Sequence, residues 1–505
     1  MIDYLEKTVS RVPDKTALVD MNRSLTYLQM KQEIDAVATG LLKSGKLGYN
    51  EPVAVFVGRN VESVCAVLAV SKTRNFYVPI DGSQPANRIH VILGQMQPKV
   101  VLALDEVRED IRDAITDCGA TVYMYNELKE TPVDDALLTQ IRDEALSTDP
   151  IYAICTSGST GVPKGVVKAH YSVLDFIPVF VETFGLTEDD IFANQAPFDF
   201  DVSGKDIYSC LYLGATLYVV PQKLFSSPKK LIAELNEQHV TVLIWAVSAL
   251  CVAAGMNAFS YETPKYVRRV MFSGEVMPIK MLHTWQEAVP ECKFVNLYGP
   301  TEVTNNCTYY IVDREFDLTE RLPLGKPFKN QQVLYLNAEN KPIGIGEQGE
   351  ICVVGSSIAL GYYRNPERTA ESFVQNPLCE GYAERMYRTG DIAELREDGH
   401  YYFAGRKDFQ IKHMGHRIEL EEVEVYLNAV DGVERAGCLF DKERGKIVCF
   451  YSGKIDKRDI AKALMKELPK YMLPNIYFKL DQLALNKNGK IDRGRLRELY
   501  QEAGE

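Results

Sequence analysis

The feature that most constrains the fold is a repeated strand, helix, strand pattern in the first third of the chain. Val53 to Val57 is a short Val-rich apolar run, Val61 to Lys72 is a longer stretch with helical character, and Phe76 to Ile80 is again short and apolar. A second cycle follows, with a helical stretch from Pro85 to Met96 and a strand from Val100 to Leu104. Strands that are apolar throughout are buried on both faces, and strands joined through helices run parallel. The expected fold class is therefore α/β, with doubly wound sheets covered by helices. The same succession returns through Ser172 to Phe184, Leu217 to Val220, Leu231 to Gln238 and Val240 to Ile244. With 505 residues the chain is long enough for several domains. After about Asp317 the pattern shifts to short strands between Gly, Pro and Asn turns, such as Gln332 to Leu336 and Glu350 to Val354, which suits a small β-rich subdomain. From Arg406 onward helices (Leu420 to Ala429, Lys457 to Glu467) mix with strands (Gly437 to Phe440, Ile447 to Tyr451). The expected division is a core domain, 1–405, and a small mobile α+β lid domain, 406–505, meeting in the polar turn Gly405-Arg406-Lys407-Asp408.

The run from Thr156 to Gly165 holds Ser157, Gly158, Ser159, Thr160, Gly161, Val162, Pro163 and Lys164 directly after an apolar strand, Ile151 to Cys155. Glycines let a backbone approach an anion, hydroxyl and N–H groups donate to it, and Lys164 adds a positive charge. The pattern reads as a phosphate-handling loop. A Walker A loop needs Gly-Lys-Ser/Thr opening a helix; here Pro163 and Gly165 bracket the lysine and Val166-Val167 reads as a strand, so the loop joins two strands. A net charge of −12 and a pI near 5.3 argue against a nucleic-acid surface. The eleven cysteines form no C-x-x-C pair and the seven histidines no ligand-like cluster, which suggests neither a zinc site nor a disulfide framework. Reduced core thiols, no signal-peptide pattern and no apolar run of membrane length lead to the expectation of a cytoplasmic protein with no membrane partner.

Further motifs follow in order: Leu25-Thr26-Tyr27; Tyr77-Val78-Pro79-Ile80-Asp81; Phe200-Asp201-Val202-Ser203; Asn296-Leu297-Tyr298-Gly299-Pro300-Thr301-Glu302; Tyr387-Arg388-Thr389-Gly390-Asp391; Gly405-Arg406-Lys407-Asp408; and Asn488-Gly489-Lys490-Ile491-Asp492-Arg493. The ordered set resembles the adenylate-forming superfamily over essentially the whole chain. Within it, the set is similar to nonribosomal peptide synthetase adenylation domains and D-alanine:carrier protein ligases. The resemblance implies that a carboxylate attacks the α-phosphorus of ATP to give an acyl-adenylate, and that a carrier-protein phosphopantetheine thiol then takes the acyl group. A carboxylate is already ionised at neutral pH, so such chemistry needs positioning and charge neutralisation rather than a base.

By the same resemblance, Thr156 to Lys164 would hold the β- and γ-phosphates, Thr301 the α-phosphate, and Glu302 a magnesium ion. Asp391 would hold the ribose hydroxyls, Arg406 the ribose or phosphate, and the adenine would lie against Tyr298 and Phe403, with Asn296 and Gly299 in the same nucleotide site. Lys490 would contact the substrate carboxylate and α-phosphate during adenylation, and Asp408 would be the hinge that lets the lid present Lys412 to Arg417, with Gly415, for thioester formation. Met414 replaces an arginine common in the family. No phosphopantetheine serine follows the last motif, so the carrier is expected in trans or from an adjacent domain.

Asp201 matches the partner of an amino acid's α-ammonium, which favours an amino-acid substrate over a fatty or aryl acid. The side-chain pocket would include Val202, Lys205, Met271, Ser273, Leu297, Asn305 and Asn306, with Ile244 or Trp245 beside it. Gln195-Ala196-Pro197-Phe198 and Phe272-Ser273-Gly274-Glu275-Val276 look like the D-alanine ligases, yet Ser273 and Lys205 stand where that subgroup has cysteine and an apolar residue. A buried lysine at 205 calls for an anion, so a polar side chain bearing an acidic or carbonyl group is expected. Alternatively Asp199 or Asp206 neutralises Lys205, or the lysine reaches solvent. The other open readings are a D-alanine:carrier protein ligase, an acyl- or aryl-CoA synthetase, and a non-catalytic nucleotide-binding member of the fold.

Overall fold

The computed structural model describes residues 2–158, 162–255, 258–407, 410–442, 444–484 and 491–503. Among these, the strands form two large sheets and three smaller ones. One large sheet has the order Gly361–Tyr362, Lys164–Ala169, Pro150–Thr156, Phe76–Asp81, Pro52–Val57, Val100–Ala103, Thr121–Met124. The other runs from Lys326–Pro327 through Thr308–Ile311, Lys293–Tyr298, Arg269–Ser273, Val242–Ala246, Ile191–Asn194, Thr216–Val219 and Thr16–Val19 to Ser24–Thr26. Both are parallel in the middle and turn antiparallel at an edge, so the sheets are mixed rather than purely parallel.

Alternation along each strand explains the layering. Val53, Val55 and Val57 face the main core, while Ala54 and Phe56 face a second one on the other side of the sheet. The main core draws residues from both large sheets and from the helices Tyr27–Lys43, Val61–Lys72, His170–Phe184 and Ser203–Leu213 between them. That position explains why Val61–Lys72 is buried all round. Local chemistry sets the helix starts: Asn60 caps Val61–Lys72 through the Ser63 N–H at 3.0 Å, and Thr26 and Gln29 form a reciprocal capping box on Tyr27–Lys43.

The β-rich part is a sheet of Gln331–Leu336, Gln348–Gly355, Arg385–Leu395 and Phe373–Gln375, with Tyr401–Arg406 paired to the long strand Arg385–Leu395. The strand Tyr401–Arg406 runs two residues, Gly405 and Arg406, into the segment read from sequence as a polar turn, because those two pair with Ile392 and Asp391. After it come a hairpin, Gln410–His413 and His416–Glu419, and a three-stranded sheet, Val433–Asp441, Lys446–Gly453 and Ile476–Lys479, packed with helices Leu420–Asn428, Lys457–Glu467 and Arg493–Glu502.

Candidate active site

The loop after Pro150–Thr156 returns as the antiparallel strand Lys164–Ala169, with Thr156 opposite Lys164. It therefore joins two strands, as its Pro-Lys-Gly end requires. Lys164 is buried, its ammonium 3.6 Å from Glu302 and 4.0 Å from Glu419. Burial and the Arg417 charge bring its pKa down to about 8. Glu302 is fully buried; it is bound by Arg417 at 2.5 Å and by the Tyr362 hydroxyl at 2.8 Å. Burial alone would raise its pKa, but the Arg417 and Lys164 charges overcome that and hold it well below the carboxylate range.

Asp391 is delivered by the long strand Arg385–Leu395. Its carboxylate is taken on one oxygen by the Tyr298 hydroxyl at 2.5 Å and on the other by Arg406. Gly299 follows Tyr298 where the chain passes tightly under Asn305 and Asn306: a Cβ there would lie 2.5 Å from the Asn306 Cα, so only glycine fits. Asp201 precedes the helix Ser203–Leu213 and is fixed by a turn in which the Gly204 N–H bonds the Asp201 carbonyl at 2.9 Å.

One cavity joins these parts. Its wall includes Thr156, Ser157, Asp201, Val202, Ser273, Gly299, Thr301, Asn305, Asn306, Asp391 and Arg406 from one side, and Lys412, Gly415, His416 and Arg417 from the hairpin 410–419. The hairpin is stitched down. Ser157 Oγ donates to the Arg417 carbonyl at 2.7 Å and accepts from the Glu419 N–H at 3.2 Å, and the Gly415 N–H bonds Glu275 at 3.2 Å. His416 stacks on Tyr471 with ring centres 3.5 Å apart and meets the Phe200 ring edge-on. Arg88 pairs with Glu422 just beyond it. The Lys412 ammonium lies 5.2 Å from the Tyr298 ring centre. Protein cations thus stand against Glu302 and Tyr298, two residues that the resemblance assigns to metal and nucleotide.

Other expected site residues lie apart from the cavity wall. Met271 and Leu297 are buried in the main core, Ile244 joins them, and Trp245 packs in a second core with its indole N–H donating to Ala193 O at 2.8 Å. Asn296 bonds the Pro323 carbonyl at 2.9 Å, and Phe403 packs half-buried beside the core that holds Tyr298. Gly158 is buried next to Ser157. Lys205 is fully buried, so it does not reach solvent; its hydrogen bond goes to Asn306 Oδ1 at 2.5 Å, and it forms no ion pair within 4 Å among the described residues. Burial lowers its pKa to about 8 against the opposing charges of Asp201 and Asp206. Ser159, Thr160, Gly161, Asp408 and Lys490 lie outside the described residues.

Residues that sequence reasoning did not single out also converge here: Arg88 and Tyr471 on the cavity wall, Glu419 beside Lys164 and, buried on the strand that carries Lys164, Lys168. Lys168 could have been found from strand periodicity, since it is on the same face as Lys164 two alternations on. Among the described residues no group of three or more His, Cys, Asp or Glu is placed to hold a metal, and no helix is long and apolar enough to cross a membrane.

Thr156 and Ser157 from the head of the loop meet Asp391 and Arg406 on one cavity, with Glu302 buried behind Arg417, an arrangement that suits a nucleotide. The chain belongs to the AMP-binding enzyme family, whose model matches residues 5–363. It is an ATP-dependent, AMP-forming ligase of the type found in nonribosomal peptide synthetase adenylation domains and D-alanine ligases. It is similar to D-alanine–D-alanyl carrier protein ligase of Bacillus cytotoxicus, 32% identical over 98% of both chains. It is equally similar to tyrocidine synthase 1 of Brevibacillus parabrevis, 32% identical over 98% of this chain, and spans 44% of that relative's length. Its fold matches that of an artificially fused adenylation–PCP di-domain from Klebsiella oxytoca, with a TM-score of 0.80 at 23% identity, covering 94% of this chain and 92% of that one.

Proposed function

We propose that this enzyme activates an amino acid as its aminoacyl-adenylate and passes the aminoacyl group to the phosphopantetheine thiol of a carrier protein. The observation that carries the reading is the single cavity whose wall holds Asp201 together with Thr301, Asp391 and Arg406. Asp201, buried and positioned by the helix start, binds the α-ammonium and so orients the α-carboxylate. A carboxylate oxygen then attacks the α-phosphorus of ATP, a new P–O bond forms, and pyrophosphate leaves. Thr301 and Lys490 hold the α-phosphate side, the loop from Thr156 to Lys164 holds the departing phosphates, and Asp391 and Arg406 hold the ribose. Mg²⁺, when bound, spreads the developing phosphate charge. Glu302 suits it: the carboxylate is buried and held ionised, and such ions take one or two protein carboxylates with phosphate oxygens completing the shell.

In the second half-reaction the carrier thiol attacks the acyl carbon, a C–S bond forms and AMP leaves. The hairpin 410–419 is the lid surface that serves this step, with Asp408 as the hinge between 1–405 and 406–505. Its support is the docked hairpin, whose Lys412, Gly415 and Arg417 reach the cavity. The relatives, a D-alanyl carrier protein ligase and tyrocidine synthase 1, point the same way.

ATP–pyrophosphate exchange across amino acids, fatty acids and aryl acids tests the reading. Exchange with amino acids, followed by loading of a phosphopantetheinylated carrier, is the expected result. Exchange confined to alkanoates or benzoates would transfer the enzyme to the CoA ligases, and no exchange with any acid would leave a non-catalytic nucleotide binder.

A further inference from the structure

Period two on the strand Lys164–Ala169 places Lys164, Val166 and Lys168 on one face. Lys164 reaches Glu302 and Val166 packs with Tyr298 and Tyr362. Lys168 is fully buried, and its ammonium has no hydrogen-bond partner among the described residues. Its register partner Tyr152 is buried too, with a hydroxyl that likewise has no partner. Burial brings the Lys168 pKa down to about 7 and pushes the Asp201 pKa up; against this, Asp201 followed by Glu302 favours the Lys168 ammonium, and Lys168 followed by Lys205 favours the ionised Asp201. The charges of two buried lysines therefore act on the one carboxylate proposed for the α-ammonium.

Buried polar atoms without a partner among the described residues gather on this side: Lys168 Nζ, both Asn305 amide atoms and Asp206 Oδ1. Lys168 offers three N–H groups, and no acceptor meets them among the described residues. Lys205 spends one on Asn306 Oδ1. Asn305, which lines the cavity, is only 3% exposed, and neither its amide nitrogen nor its amide oxygen has a partner among the described residues. Neither lysine lines the open cavity; the wall beside them is Asp201, Asn305 and Asn306, with Asn306 bonded to Lys205. Leaving buried donors unmet is costly, and a buried unpaired ammonium more so. An amino acid with an alkyl or hydroxyl side chain would bring a third cation, its ammonium, to Asp201 and few acceptors. A carboxylate is acceptor-only, with about four lone-pair sites, and can meet the Lys168 ammonium directly, which Asp201, Asp206 and Glu302 do not.

We propose that Lys168, with Lys205 and Asn305, forms the seat of a second substrate carboxylate, so that the acid activated is an aminodicarboxylic acid. The α-amino part of this proposal rests on the amino-acid reading above; the seat does not.

The test is ATP–pyrophosphate exchange with aspartate, glutamate and 2-aminoadipate, their amides, their alkyl isosteres, and the amine-free diacids succinate and glutarate. The wild type should favour one aminodicarboxylate at least about tenfold over its amide, and Lys168→Met should lower kcat/KM for it on the order of 10- to 100-fold, the range for hydrogen bonds to charged groups, with the amide changed little. Thermal unfolding separates function from folding: removing an unpartnered buried ammonium should leave Tm unchanged or raised. If Lys168→Met does not fold, Asn305→Asp carries the test, because a fixed carboxylate in the seat should reject dicarboxylates and shift the ranking to neutral or basic side chains. Preference for neutral side chains in the wild type, or equal losses for all amino acids in Lys168→Met, overturns the proposal. Preference for succinate or glutarate keeps the seat and overturns the amino-acid reading, and no exchange with any acid overturns both.

Discussion

Replacing Arg417 with Met should separate the two half-reactions. Glu302 is fully buried, and Arg417, with a side chain 13% exposed, is its nearest cation at 2.5 Å; Lys164 stands further off at 3.6 Å and the Tyr362 hydroxyl donates at 2.8 Å. Removing one partner of a buried ion pair costs about 3–5 kcal/mol. Lys164 and Tyr362 remain to Glu302, so the lower end, about 3 kcal/mol, applies. That cost falls only on the arrangement with the hairpin docked, since bound nucleotide and its ion neutralise Glu302 by other means. At roughly 1.4 kcal/mol per tenfold, the docked arrangement loses about two orders of magnitude in population. The assays are pyrophosphate exchange for adenylation and single-turnover transfer from preformed aminoacyl-adenylate to a pantetheine thiol. Transfer should slow by about 100-fold, exchange should persist, and the KM for ATP should stay level or fall because a competing cation has left Glu302. Arg417→Lys, which keeps the charge, should recover part of the transfer rate. Equal loss in both assays, or normal transfer in Arg417→Met, would refute the reasoning.

Lys490→Ala should abolish most adenylate formation while sparing transfer from supplied adenylate, because its charge is needed when charge builds on the α-phosphate; parallel loss in both steps would remove Lys490 from that role. Asp201→Ala should raise the amino-acid KM far more than the ATP KM, by a cost on the order of 3–5 kcal/mol for an ammonium left without its partner, and an unchanged amino-acid KM would show that Asp201 serves another purpose. For pH, the Lys164 ammonium that grips phosphate is lost as pH rises through about 8, so the KM for ATP should climb above that point. The linked stability runs the other way: a lysine whose folded pKa is depressed costs stability below about 8, and that cost fades as pH rises toward its usual value. A flat ATP KM between pH 7 and 9.5 would mean that Lys164 is not the titrating group.

Much of the fold was legible because strand and helix periods are properties of short segments. Val61–Lys72 and Lys457–Glu467 stand where their apolar spacing put them, and the Pro163-Lys164-Gly165 order correctly placed a strand after the loop. Gly299 was read from sequence only as part of the nucleotide site; its tight passage under Asn305 and Asn306 was not legible there. The side-chain pocket was legible only in part: Val202, Ser273, Asn305 and Asn306 line the cavity, while Met271 and Leu297 fill the main core. Both kinds sit on apolar strands or turns, and spacing does not tell which of them meets the cavity and which meets a helix packed behind.

Sequence by itself determined the class of the strongly periodic elements, such as Val61–Lys72 and Lys457–Glu467, and the ordered motifs that bring a phosphate loop, Glu302 and Asp391 into one chain. Tertiary structure alone decided the pairings. Arg417 and Glu302 are 115 residues apart, Arg88 and Glu422 are 334, and Lys205 and Asn306 are 101. It also decided that Lys168, a lysine like many others in the sequence, is fully buried with no partner for its ammonium among the described residues, while Lys164 on the same strand has one. A side chain's face follows from its own backbone period, but its solvent exposure and its counter-charge follow from whatever distant segment closes over that face, and that is set only when the sheets, helices and hairpin pack together.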